Sequence, residues 1–395
     1  MKFFAISIML LFGCIVQAQK NTIIGIVIDA DNKISLNGSN VFLSNTSKGT
    51  ATDTSGKFIL NNIPDGKFLQ LVVSSVGYET FTYTFSSQQL PLNLKISLNK
   101  KIVEMEGVVI IPYEVNGWEK WGKTFMDNFL GQSDNAFKCE IDNPKQIKFR
   151  RNKKDDTLEA ESDGMFIIRN YNLGYAIKYQ LDKFVMDFKH SRVSYTGYPL
   201  FMEMEPNEPL APEYKWKRAI AYKGSMMHFI RSLYADKLKE EGFEVRRMEL
   251  LPTNDTIIND GKTMHHFFTI DSMGKRKSPP YIVNKAGKEK IDTFLLTKDS
   301  IVFKDNDSVS NVLSFNNYLV VHYLNESEPE FYSRRNYATK ARDYQLSKFS
   351  ILNDDKKILI EPDGYYSPAL DLFMEGYLSA EKMGDFLPWD YVPDK

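Results

Sequence analysis

The chain has 395 residues, a formal net charge of −1 and an aromatic content of 13%. That balance argues against nucleic-acid binding, which leans on phosphate neutralisation by clustered Lys and Arg. The basic run Lys148-Phe149-Arg150-Arg151 and the pair Lys153-Lys154 are followed at once by Asp155 and Asp156, as in a solvated turn. With only Cys14 and Cys139 present, a mature form cut after Ala18 holds one thiol and no internal disulfide, so its stability rests on buried cores, for which the length is ample.

In chain order, residues 1–18 read as a secretory signal peptide. Lys2 is the charged start, and Phe3 to Val16 is an apolar run shorter than the roughly 20 residues a bilayer span needs. Val16-Gln17-Ala18 puts the cleavage between Ala18 and Gln19. Leu11-Phe12-Gly13-Cys14 offers a lipid anchor at Cys14 as the alternative, with bulky Phe12 fitting that pattern poorly. No later segment has the length and apolarity of a transmembrane helix, so the mature chain is expected to carry none. The expected location is the periplasm or the outer-membrane surface.

Residues 20–100 form the first domain. Phe81, Tyr83 and Phe85 alternate with Thr80, Thr82 and Thr84, and Leu92, Leu94, Ile96 and Leu98 alternate with polar residues. This is the period of half-buried antiparallel strands. About seven such segments lie between Ile23 and Leu98, separated by turn signals such as Pro64-Asp65-Gly66 and Asp53-Thr54-Ser55-Gly56, as in a β-sandwich. Residues 101–116 read as a linker, with a short strand expected from Gly107 to Ile111.

Residues 117–395 read as an α+β domain. Trp118, Trp121, Phe125 and Phe129 share one helical stripe, with Asn116 and Glu119 as a capping box and Gly131 as the stop. An antiparallel meander follows, with strands expected at Ile147 to Arg151, Thr157 to Ser162, Met165 to Arg169, Tyr175 to Leu181, Phe184 to Phe188 and Tyr195 to Phe201. A long helix is expected from Tyr214 to Glu241, stopped by Gly242. Strands then alternate with charged turns, and Ser379 to Phe386 reads as a short helix.

Four segments of the first domain carry a family resemblance: Gly25-Ile26-Val27-Ile28-Asp29, Leu36-Asn37-Gly38-Ser39-Asn40-Val41, Gly49-Thr50-Ala51-Thr52-Asp53-Thr54-Ser55-Gly56-Lys57-Phe58 and Val76-Gly77-Tyr78. Together they resemble the carboxypeptidase-regulatory-like module, which implies a seven-stranded, transthyretin-like sandwich with an accessory role. The same module precedes the plug of TonB-dependent receptors, but too little chain follows Leu98 for a barrel of about 22 strands. Trp118-Glu119-Lys120-Trp121-Gly122, Cys139 to Pro144, Tyr222 to Arg231, and Gly376-Tyr377-Leu378-Ser379 with Leu387-Pro388-Trp389-Asp390-Tyr391 are similar to an uncharacterised C-terminal region. That region accompanies the module in secreted proteins of Gram-negative bacteria, and the resemblance implies domain identity and location alone.

No histidine has Glu three residues on: Val193, Arg231, Phe268, Thr269 and Asn325 stand at those places. A zinc carboxypeptidase needs that pair, so the chain is not expected to be one, and neither a metal nor a cofactor is expected. His228 and Arg231 lie three apart on the expected long helix, where an imidazole beside a guanidinium makes a candidate polar site. Cys139 is the candidate nucleophile to join them, against the commoner role of a buried thiol. Trp118 and Trp121 are a candidate aromatic surface for sugar, against a core role. Asp305-Asn306-Asp307-Ser308 lacks the ligand spacing of a calcium loop. The expected function is a non-catalytic cell-envelope protein, its sandwich used for interaction or positioning and its second domain binding a protein or glycan partner. The alternative is a hydrolase or carbohydrate-active enzyme in the C-terminal domain.

Overall fold

The computed structural model describes residues 21–101, 111–205, 210–251, 269–270, 276–277, 281–283, 289–306, 310–335 and 341–393. The signal segment with Cys14, Ala18 and Gln19, the strand expected at Gly107 to Ile111, His265, His266 and Asp307 lie outside the described residues. Among those described, the chain up to Ala219 forms one compact unit together with Met383 onward, and Ile220–Lys382 forms another.

Seven strands open the first unit: β1 Ile23–Asp29, β2 Asn40–Leu43, β3 Gly49–Ala51, β4 Lys57–Leu60, β5 Leu69–Ser74, β6 Phe81–Phe85 and β7 Leu92–Leu98. They form two sheets, in the orders β4-β1-β7 and β3-β2-β5-β6, with β1 parallel to β7 and antiparallel to β4. Alternate residues meet between the sheets, among them Ile23, Val27, Phe58, Leu71, Val73 and Ile96. Gly25 is required within β1, because a Cβ there would stand 2.4 Å from the Leu94 carbonyl oxygen and 2.7 Å from the Phe58 ring.

Asp29, at the end of β1, is 1% exposed and accepts hydrogen bonds from the Tyr78 hydroxyl at 2.8 Å and from the backbone N–H of Asp31 and Asn32. The Lys100 ammonium stands 3.4 Å away. Burial pushes the carboxyl up, but the Tyr78 and backbone bonds outweigh it and hold it at about 2. Thus the first and last of the four motif segments are two ends of one hydrogen bond that closes this end of the sandwich.

β2 and β5 bury apolar residues on both faces. Val41, Leu43, Leu71 and Val73 point into the sandwich, whereas Phe42 and Val72, both 0% exposed, pack with Leu200 on the other side. On that same outer face the Ser74 hydroxyl donates to Gln180 Oε1 at 2.7 Å, buried, and the Lys178 ammonium donates to Asn40 Oδ1 at 3.3 Å.

Leu200 and Gln180 belong to a six-stranded antiparallel sheet. Its strands are β8 Cys139–Ile141, β9 Ile147–Asn152, β10 Thr157–Ser162, β11 Phe166–Asn170, β12 Tyr175–Asp187 and β13 Arg192–Glu203. β12 joins what alternation reads as two strands, because the register slips between Leu181 and Lys183 and pairing resumes beyond. One of its edges pairs with β13 throughout; the other pairs first with β11 and then with β10. Helix α1, Gly117–Phe129, lays Phe125 and Phe129 on this sheet against Phe166, Tyr179 and Phe184. The expected capping box is not made: Asn116 takes a left-handed conformation and its side chain makes no cap bond.

The long helix expected from Tyr214 to Glu241 is two helices, α2 Pro212–Tyr222 and α3 Met226–Tyr234. Gly224 at φ +73° turns the chain, and the Ser225 hydroxyl accepts the His228 N–H as the N-cap of α3. In the second unit α3 buries Phe229, Ile230 and Leu233 in one cluster with residues of two sheets. The larger sheet contains β14 Phe243–Leu250; beyond it a two-stranded ribbon forms from β15 Thr269–Ile270 and β16 Arg276–Lys277. Next come β17 Tyr281–Val283, β18 Glu289–Asp292, β19 Val302–Lys304, β20 Asn311–Leu313, β21 Tyr318–Tyr323, β22 Gln345–Ile351, β23 Ile358–Ile360, β24 Tyr366–Ser367 and β25 Leu372–Gly376. The larger sheet runs β17-β18-β14-β21-β22-β25, and the smaller β19-β20-β23-β24.

Instead of the helix expected at Ser379 to Phe386, a short turn of 3-10 helix spans Tyr377–Ser379. The backbone beyond is used for tertiary bonds: Met383 and Gly384 N–H donate to the carbonyls of Phe129 and Leu130, and Asp385 accepts from Ser133 and Asn135. No helix among the described residues is long and apolar enough to cross a membrane.

Two predictions follow from these contacts. Leu200→Ala leaves a cavity under Phe42 and Val72 and lowers unfolding free energy by about 2–5 kcal/mol; Phe42→Ala combined with it is non-additive by at least about 0.5 kcal/mol. Urea unfolding of the single and double variants measures both, and additive losses would show that the residues are not coupled. For Asp29, the folded value of about 2 lies below the ordinary 3.8, so its contribution is complete above about pH 4 and is lost as pH falls toward 2. Tyr78→Phe raises the folded value and moves acid unfolding to higher pH, as circular dichroism across an acid titration will show.

Candidate functional site

The expected polar site on α3 is assembled in the second unit. His228 is 4% exposed. Gly224 N–H donates to its Nδ1 at 3.1 Å, which puts the ring proton on Nε2, and Nε2 donates to Glu241 Oε2 at 3.1 Å. The rings of Tyr222, Phe243 and Tyr323 surround it at centroid distances of 4.8, 4.9 and 5.7 Å. Burial holds its pKa below the ordinary 6.5 despite the opposing pull of Glu241. Arg231 donates from Nε to the Asp363 carbonyl at 3.0 Å, and its guanidinium lies 5.5 Å from the Tyr222 ring. His228 and Arg231 are therefore brought together around Tyr222, with both ring nitrogens of the histidine committed.

Cys139 belongs to the other unit. It is 4% exposed, its thiol donates to the Asn135 carbonyl at 3.4 Å, and burial, reinforced by Asp385, pushes it up to about 12. At neutral pH such a thiol is protonated, which deprives it of nucleophilic character. Trp118 lies against Phe125 and Phe149, and Trp121 against Phe188, both half-buried on the core side of α1. Among the described residues no three His, Cys, Asp or Glu side chains converge as metal ligands.

A second site lies wholly within the first unit. Arg218 on α2 is 2% exposed. It donates from Nε to the Leu173 carbonyl at 2.7 Å, grips both oxygens of Glu203 at 2.9 and 2.7 Å, and stacks 3.7 Å from the centroid of the Tyr175 ring. The C-terminal segment closes over this group. Trp389 N–H donates to the Asn45 carbonyl at 2.7 Å, and Asp390 accepts from both the backbone and the hydroxyl of Ser47, with Lys48 at 3.6 Å. Between them is a cavity of about 230 Å³ lined by Tyr175, Glu203, Lys215, Arg218, Asp390 and Tyr391.

Tyr175 is 3% exposed, and its hydroxyl has no hydrogen-bond partner among the described residues. Neither does the Lys215 ammonium. Sequence reasoning missed Tyr175, Glu203 and Arg218 as site residues. Arg218 is paired in its buried position by Glu203, 15 residues earlier in the chain, a pairing that no local periodicity marks. The only sequence signal at this cavity is the segment Leu387-Pro388-Trp389-Asp390-Tyr391.

The fold places the N-terminal part of the chain in a definite class. Residues 23–110 match the model of the CarboxypepD_reg-like domain, so the seven-stranded sandwich is a carboxypeptidase-regulatory-like domain, and the match ends before α1. No curated protein matches this chain. Among solved structures, a type II cohesin–X-dockerin complex from Acetivibrio cellulolyticus is similar at 19% identity and a TM-score of 0.18, covering 20% of this chain and 56% of that one. The chain thus spans little more than half the length of that structure. A 9R-lipoxygenase from Cyanothece shares 13% identity over 54% of this chain and 48% of its own, with a TM-score of 0.18. A Bacteroides fragilis protein of unknown function shares 12% identity over 90% of this chain and 94% of its own, with a TM-score of 0.17.

The buried histidine yields a pH prediction. Its folded pKa lies below the unfolded 6.5, so the unfolded state takes up the proton first as pH falls. The stability it contributes is complete above about pH 6.5 and declines below, at no more than about 1.4 kcal/mol per pH unit for one proton. His228→Asn, which keeps an acceptor for the Gly224 N–H, is less stable at pH 7.5 and loses that slope. Urea midpoints of the second unit at pH 5.5 and 7.5 test it; equal slopes in both proteins would sink the assignment.

Proposed function

We propose that this chain is a non-catalytic, exported protein of a Gram-negative cell envelope. Its carboxypeptidase-regulatory-like sandwich positions the molecule, and the rest of the chain binds a protein or glycan partner. The observation that carries the reading is how the cavity of the first unit is built. Ser47 of the sandwich, Tyr175 and Glu203 of the neighbouring sheet, Arg218 of α2 and Asp390 of the C-terminal segment each supply a wall. A regulatory-like sandwich that packs through Phe42 and Val72 and also contributes to a pocket serves as part of a binding scaffold. A fold-supporting role for the residues put forward for catalysis is favoured by the burial of His228 with both nitrogens bonded and by the buried, protonated Cys139 thiol.

The export half of the reading rests on the signal-like residues 1–18, with lipidation at Cys14 as the lesser route. Cell fractionation with a C-terminal tag is expected to place the protein in the periplasm or outer-membrane fraction, and a cytoplasmic pool of full-length chain would overturn it. For the non-catalytic half, purified protein offered ester, peptide and glycoside substrates is expected to give no turnover above a His228→Asn control. Turnover that the substitution abolishes would establish the hydrolase alternative instead.

A further inference from the structure

We propose that the cavity between β12, β13, α2 and the C-terminal segment is a binding site for a single neutral saccharide ring. This rests on the binding reading above and names the ligand class. Tyr175 supplies the first argument: its ring is buried in the cavity wall, while its hydroxyl keeps access to solvent and has no hydrogen-bond partner among the described residues, so it is placed to meet a ligand. Burial keeps it protonated, since it pushes the hydroxyl well above its ordinary value, so it can both donate and accept.

The charges select against ions. The charged groups lining the cavity are the Arg218 guanidinium and the Lys215 ammonium against the carboxylates of Glu203 and Asp390, two positive to two negative, so no net charge draws in an ion of either sign. An anion at the floor meets two carboxylates, and a cation meets a guanidinium already held in a two-point grip by Glu203. Those carboxylates retain lone pairs for ligand hydroxyls, while Tyr175 and the exposed Lys215 ammonium donate to ligand oxygens. Mixed donors and acceptors around an uncharged ligand are what a ring bearing several hydroxyls satisfies. Leu210, Pro388, Val392 and the Tyr391 ring offer apolar surface for its C–H face.

Size points the same way. About 230 Å³ is below the roughly 300–1,000 Å³ of pockets that enclose drug-sized ligands, so the site holds one ring and leaves the rest of a chain outside.

Isothermal titration of the full-length mature protein with glucose, galactose and N-acetylglucosamine tests the proposal, with inorganic phosphate and glycylglycine as anionic and zwitterionic comparisons. At least one saccharide is expected to bind. Tyr175→Phe, which keeps the ring under Arg218, is expected to weaken it tenfold or more without shifting the melting temperature, and Lys215→Ala to weaken it less. Binding of none of the three sugars, equal binding by wild type and Tyr175→Phe, or preference for phosphate or glycylglycine would overturn it. If no sugar binds but the protein still retains an envelope partner that Tyr175→Phe also retains, the cavity assignment fails and the binding reading stands; loss of both removes the reading as well.

Discussion

Phe42 and Val72 are the residues on which the arrangement of the first unit depends. A strand of an isolated sandwich keeps one face in the core and offers the other to water. β2 and β5 do not: Val41, Leu43, Leu71 and Val73 fill the sandwich, and Phe42 and Val72 are equally buried against Leu200 on the far side. Burying that second face removes large apolar side chains from water and holds the sandwich to the sheet of β8 to β13. The polar groups on the same face are matched across the junction, with Ser74 meeting Gln180 and Lys178 meeting Asn40. A buried junction carrying unmatched polar groups would cost much of what the apolar contact supplies.

That junction determines where the cavity is. It brings the loop at Asn45 to Lys48 alongside β13, where Asn45 N–H donates to the Pro199 carbonyl and Phe201 N–H donates to the Thr46 carbonyl. The same loop receives the C-terminal segment through Trp389 and Asp390. Arg218 completes the floor, and its charge is tolerated there because a two-point grip by Glu203, a backbone carbonyl and the Tyr175 face replace the water it loses. The second unit solves a like problem with less charge: the His228 imidazole is kept neutral by burial and satisfied at both nitrogens by Gly224 and Glu241.

Local pattern and tertiary pairing divide cleanly in this chain. The seven strands of the sandwich, the stripe of α1 and most strands of the second sheet were legible because period-2 and period-3.6 alternation report which side of an element faces a core. The Gly224-Ser225 break was not read from the sequence, because the apolar stripe runs across it and reads as one helix; the left-handed glycine and the capping hydroxyl that divide it are seen in the fold. The motif at Asp29 and Tyr78 marked a family before its physical cause, a buried carboxylate bonded to a phenol, was in view.

What the sequence by itself determined is the sandwich, its domain class, the first helix and most strands of the neighbouring sheet, since these follow from neighbours along the chain. Only the tertiary structure decided the site. Ser47 and Asp390 meet across 343 residues, Arg218 is paired in its buried position by Glu203, and Tyr175 is left with an unanswered hydroxyl. None of these can be inferred from spacing, because each depends on which surfaces pack together. That choice is made by the total apolar area and polar matching of whole faces, a property that no single segment carries.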